Sequence, residues 1–101
     1  MQDFEVLKDG EYTTFRGKPL VRDKNVLCYG DNEKDAYVLV LMILSYKTVN
    51  GVEVPDMMMC QVMSTDTSLD AVARVRKNYQ ANGLFQALDL GIDYLDRYNK
   101  K

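Results

Sequence analysis

Residues 36–63 read AYVLVLMILSYKTVNGVEVPDMMMCQVM, two apolar, β-rich runs (Ala36 to Val49 and Val52 to Met63) on either side of Asn50-Gly51. Asn-Gly is the leading sequence for a two-residue type I′ turn, because both central residues must take positive φ. Such a loop fixes the register: Val49 faces Val52, Leu41 faces Cys60 and Val38 faces Met63. Side chains then alternate between two faces. One face carries Leu39, Leu41, Ile43, Met58, Cys60 and Val62, the other Val38, Val40, Met42, Leu44, Met57, Met59 and Met63. A half-exposed hairpin would show one polar face, so both faces of this one need a cover. Pro55 has no N–H to give a ladder, and it must turn away from the partner strand or sit at a bulge that slips the register by one.

Upstream of the hairpin, turn signals at Arg16-Gly17-Lys18-Pro19, Asp23-Lys24-Asn25 and Gly30 to Asp35 cut the chain into strands at Tyr12 to Arg16, Leu20 to Arg22 and Val26 to Tyr29. Phe4 to Lys8, before Asp9-Gly10, reads equally as a short helix or a strand. Downstream, Thr67 with Asp70 approximates a capping box, and Leu69, Val72, Ala73, Arg76 and Tyr79 make one helical stripe from Ser68 to the terminator Asn82-Gly83. A second helix follows from Leu84 to about Asn99, with Phe85, Leu88, Ile92, Leu95 and Tyr98 on its apolar side. The expected fold is α+β in a single domain over 1–101: an antiparallel β-meander of four to five strands, about residues 12–63, followed by two C-terminal helices, about 68–99, packed on one face.

Composition narrows the chemistry. The chain has 101 residues, 47% of them hydrophobic, enough to bury a core. Thirteen Lys and Arg against fifteen Asp and Glu leave a net charge of -2, which argues against nucleic acid and offers no basic arm to a membrane. The longest apolar run, Tyr37 to Leu44, is far short of the roughly 20 residues that cross a bilayer. There is no histidine, hence no default general base, no imidazole ligand and no Ser-His or Cys-His pair; no metal and no cofactor is expected. The acidic start Met1-Gln2-Asp3-Phe4-Glu5 lacks the pattern of a secretory signal, which predicts a soluble, cytoplasmic chain. Cys28 and Cys60 are then expected as free, buried thiols on strands that flank a central one, roughly 10 Å apart and beyond disulfide reach.

Four features invite a functional reading. Asp31, Asn32, Glu33 and Asp35 lack the ligand spacing and glycine of a calcium loop and read as a solvated turn. Thr65 and Asp66, where a strand meets a helix, are candidate ligands for an anion, although such side chains are also what a helix start needs for itself. Tyr12, Phe15 and Tyr29 interleave with Arg16, Lys18 and Arg22 as in base-stacking surfaces, against an acidic overall balance. Met42, Leu44, Met57, Met59 and Met63 share one hairpin face, either as core or as an adaptable interface.

Gly17-Lys18-Pro19-Leu20-Val21-Arg22, Tyr29-Gly30-Asp31, Val54-Pro55-Asp56, Ser64-Thr65-Asp66 and residues 84–91, LFQALDLG, together resemble a group of short bacterial proteins of unknown function. The resemblance implies a bacterial cytoplasmic protein of this size and carries over no active site, ligand or partner. The expectation is therefore a non-enzymatic interaction module forming a homodimer through the methionine-rich face. A small-molecule-binding protein, or a small enzyme working through carboxylate and tyrosine groups with Asp66 foremost, is the alternative.

Overall fold

A computed structural model describes residues 12–31 and 34–99 of the chain. The segment Phe4 to Lys8, and with it the choice between helix and strand, lies outside the described residues, as do Asn32 and Glu33 of the acidic loop. The described residues form a mixed α+β fold of eight strands and two helices. Strands β1 (Tyr12–Phe15), β2 (Lys18–Asp23), β3 (Val26–Tyr29), β4 (Tyr37–Ile43), β7 (Met57–Ser64) and β8 (Val75–Asn82) form one antiparallel sheet in the order β1-β2-β3-β4-β7-β8. Between β4 and β7, β5 (Tyr46–Val49) and β6 (Val52–Pro55) make a separate two-stranded ribbon. A one-turn helix, α1 (Ala71–Arg74), precedes β8, and α2 (Leu84–Asn99) follows it.

The central hairpin has the register the turn demands. Asn50 and Gly51 take φ of 52° and 79°, and the pairs run without a slip from Val49 and Val52 through Leu41 and Cys60 to Tyr37 and Ser64. Pro55 closes the ribbon opposite Tyr46, and no bulge is needed because the ladder bends there. At that bend the Leu44 and Ser45 N–H groups both donate to the Met57 carbonyl, and Asp56 N–H donates to Ser45.

The sheet is larger than four to five strands, and the segment read as a long first helix explains the difference. Only Ala71–Arg74 is helical, capped by the Asp70 carboxylate on the Ala73 N–H rather than by Thr67. From Val75 the chain becomes β8 and pairs with β7, with a register shift opposite Val62 and Met63. Val72, placed on a buried stripe by the helical reading, is 85% exposed. Gly83, at φ 91°, begins α2 instead of ending a helix. Arg76, Lys77 and Gln80 are good helix formers, but pairing with β7 outweighs propensities of a few tenths of a kcal/mol per residue, roughly.

Helix α2 covers one sheet face. Leu84, Ala87, Leu88, Gly91 and Leu95 are its buried stripe, rotated from the expected one so that Phe85 and Tyr98 stay 49% and 37% exposed. Against it lie Leu39, Leu41, Met58, Cys60 and Val62, fully buried, with Leu20, Leu27 and Tyr29 extending the core under β2 and β3. Gly91 allows the close approach: a Cβ there would collide with the Tyr79 hydroxyl and a Leu39 methyl. At the far end of the helix the Asn99 side chain accepts from the Tyr37 N–H at 3.0 Å and donates back to its carbonyl at 3.4 Å. Among the described residues no helix is long and apolar enough to cross a membrane.

Candidate functional site: the open face of the sheet

No described element covers the second face of the sheet. Its side chains form rows across the strands, since neighbours in register point the same way. One row runs Val21, Cys28, Val40, Gln61 and Asn78; the next runs Val26, Met42, Met59 and Gln80; Val38 and Met63 make a third. Cys28 and Val21 are exposed, Val26, Val40, Met42, Met59 and Met63 are half-buried, and Val38 is buried. Toward β8 the face turns polar, with Gln61 donating to the Asn78 side-chain oxygen at 3.1 Å. Among its described side chains on β2, β3, β4 and β7, the only charge is Asp23 at one corner, while on β8 the exposed Arg76 stands at the register shift near Met63.

Of the five interface candidates, Met42 and Met59 are direct cross-strand partners in the middle of this face, and Met63 lies beside Val38. Met57 and Leu44, 48% and 56% exposed, meet at its end, where the Leu44 N–H donates to the Met57 carbonyl at 2.8 Å. Sequence reasoning missed Val21, Val26 and Cys28, which extend the apolar area onto β2 and β3. The signal was the alternation of Leu20 and Leu27 inward against Val21 and Cys28 outward, in strands short enough to pass for a solvated edge.

Thr65 and Asp66 are brought together, but their polar atoms are spent locally. The Thr65 hydroxyl donates to the Asp35 carbonyl at 2.8 Å. The Asp66 carboxylate accepts from both the N–H and the hydroxyl of Ser68, which holds it below the ordinary carboxylate range. This is a self-contained turn, with Asp66 four residues ahead of Asp70, the cap that starts α1.

The described acidic side chains of the loop, Asp31 and Asp35, are likewise internally occupied. Asp35 pairs with the Lys18 ammonium at 2.9 Å and accepts from the Asp31 N–H at 3.0 Å. Although partial burial pushes its pKa up, these two contacts prevail and hold it below the usual value. Among the described residues no group of three acidic or cysteine side chains is placed to share a metal ion. The aromatic and basic residues of the first strands pack on one another: Tyr29 stands edge-on to Phe15 at 6.1 Å and donates its hydroxyl to the Phe15 carbonyl, while Arg16 lies 5.1 Å over the Phe15 ring.

Both cysteines are free, and they lie on opposite faces. Cys60 is in the core, where desolvation pushes its thiol up to about 11 despite a hydrogen bond with Tyr79. Cys28 was expected to be buried; it is instead exposed on the open face, because no described element lies over β3 on that side. Its sheet neighbours still desolvate the sulfur enough to raise its pKa, helped by the Asp23 carboxylate. Among the described residues neither thiol has a cationic partner of the kind that activates a nucleophilic cysteine. No family model, curated protein or solved structure matches this chain.

Proposed function

We propose that the chain is a non-enzymatic interaction module that pairs with a second copy of itself through the open face of its sheet. The observation that supports this is the rows of Val21, Val26, Val40, Met42 and Met59 on a face without charge at its centre. One helix of 16 residues is the only sizeable cover among the described elements, and it is used up on the opposite face. Six strands at about 4.8 Å spacing and six residues along each give a face of roughly 500 Å² in projection, close to one partner's share of a small specific interface. A twofold arrangement brings a surface onto itself, which suits a face with no charge at its centre and with flexible methionines to interlock.

Light scattering at micromolar concentration tests this directly, and a dimer is the expected result. Met59→Lys and Val40→Lys should each raise the dimer dissociation constant by about a hundredfold or more, since each buries an unpaired charge against its own symmetry mate. Their far-ultraviolet circular dichroism should stay that of the wild type. A monomeric wild type, or variants that remain dimeric, would overturn the reading.

A further inference from the structure

The β5–β6 ribbon leaves a groove of about 250 Å³ between itself and the first turn of α2. Lys47, Val49, Val52 and Val54 share one ribbon face by register, and they line the groove together with Pro55 and Phe85. Val49, Val52 and Phe85 are between 42% and 49% exposed, so the walls are apolar and wet.

The walls are held in place. On one side the Tyr46 hydroxyl accepts from Arg22 at 2.8 Å and donates to Asn25 at 2.7 Å, fastening the ribbon to the β2–β3 turn. On the other, Gly83 N–H donates to the Asp56 carbonyl at 2.6 Å, fastening the ribbon's exit to the start of α2. Asn82 N–H is taken by the Gln86 side-chain oxygen at 2.7 Å, so the polar groups at the helix start are already engaged with each other. A groove with fixed walls needs little ordering when it is filled.

Two facts select the occupant. The volume falls below the 300–1,000 Å³ or so of sites for drug-sized ligands, which leaves room for a short acyl chain or a single ring. Lys47 is the only charged residue among those lining the groove, so charge complementarity calls for one negative group. We propose that this groove binds a small monocarboxylate with a short apolar tail, the tail against Val49, Val52 and Phe85 and the carboxylate on the Lys47 ammonium. None of these residues belongs to the open sheet face, and the inference stands apart from self-pairing.

The test is a two-dimensional amide NMR titration of the full chain with sodium hexanoate and, separately, with the neutral analogue 1-hexanol. Hexanoate should shift Val49, Val52 and Phe85 saturably in the millimolar range and bind more tightly than hexanol. Lys47→Gln should weaken hexanoate about threefold, the scale of an exposed ion pair, and leave hexanol unchanged. Val52→Asp, on an exposed ribbon position, should weaken both while the remaining amide spectrum stays in place. Shifts that never saturate, equal affinity for the two compounds in the wild type, or shifts centred on Val40 and Met59 would each overturn the proposal.

Discussion

The hydroxyl of Tyr79, on the last strand of the sheet, donates to the main-chain carbonyl of Ala87 in the helix that packs over it, at 2.7 Å. Burial, with Cys60 alongside, raises the pKa of this hydroxyl, so it remains a donor throughout the working pH range. Tyr79→Phe keeps the ring but removes the donor. It should cost about 1–2 kcal/mol, measured as a lower urea midpoint at unchanged slope. An unchanged midpoint would mean that water replaces the hydroxyl at no loss.

Gly91 should be intolerant of the smallest added side chain. The Tyr79 hydroxyl and the Leu39 methyls both occupy the space a Cβ needs, and Leu39 is fully buried, so making room repacks the core. Gly91→Ala is expected to destabilise by about 1–3 kcal/mol, although alanine is the better helix former. A gain in melting temperature would show that α2 can shift outward freely.

The turn at Gly51 gives a contrasting case. A Cβ there meets nothing within 4 Å, yet φ is 79°. Gly51→Val should therefore cost about 1 kcal/mol or more through backbone strain alone. Thermal unfolding of the variant beside Gly17→Val, another open position with φ of 84°, tests whether the two losses are of similar size.

Acid should weaken the clasp between the first hairpin and the loop that follows it. Asp35 is held below its ordinary pKa, so its contribution is complete above the unfolded carboxylate value near 3.9 and is lost as pH falls through the lower native value. Asp35→Asn should be less stable than the wild type at pH 7, by about 1 kcal/mol for a partly exposed pair with one further hydrogen bond. It should also lose less stability than the wild type between pH 5 and the acid end of a denaturation series. Parallel pH profiles for the two proteins would contradict this.

Thiol labelling should proceed in two separate phases. In the Met59→Lys variant, whose open face is unpaired, Cys28 is exposed and near pH 8 reacts with a disulfide reagent, more slowly than a free cysteine because its pKa is raised. Cys60, buried and pushed up to about 11, should react only when the chain is unfolded. One fast equivalent under native conditions and a second in denaturant is the expected stoichiometry.

How much of this was readable in the sequence depended on how local its cause was. The central hairpin was legible residue by residue, because Asn50-Gly51 dictates its register through backbone geometry alone and Leu39, Leu41, Met58 and Cys60 alternate in step with it. Helix α2 was legible in extent, but its orientation was not: Gly91 gives no hydrophobic signal, yet its missing side chain centres the contact and turns Phe85 outward. The segment Val75–Asn82 was misread because it fits two periods at once. Arg76 and Tyr79 lie on the helical stripe, and Lys77, Tyr79 and Ala81 also form the inward row of a strand, a choice decided by the free edge of β7 rather than by the segment. The open face was half legible, since methionine clustering marks β4 and β7 but nothing local shows that β2 and β3 continue the same surface.

Each strand of the main sheet pairs with the strand before or after it along the chain, once the β5–β6 ribbon is set aside as the tip of a hairpin. Assembly of the sheet thus asks for no pairing between distant parts of the polypeptide, and the search for it is short. The distant contacts are those of α2, among them Arg16 with Asp89 at 3.8 Å and the clasp of Asn99 on Tyr37, 62 residues apart, which need the sheet in place before they close. Hairpins should accordingly form first and the helix should settle last. In native-state hydrogen exchange this order would appear as slow amides at Leu39, Leu41 and Cys60, with earlier release along residues 84–99 as the chain opens from its C-terminal end.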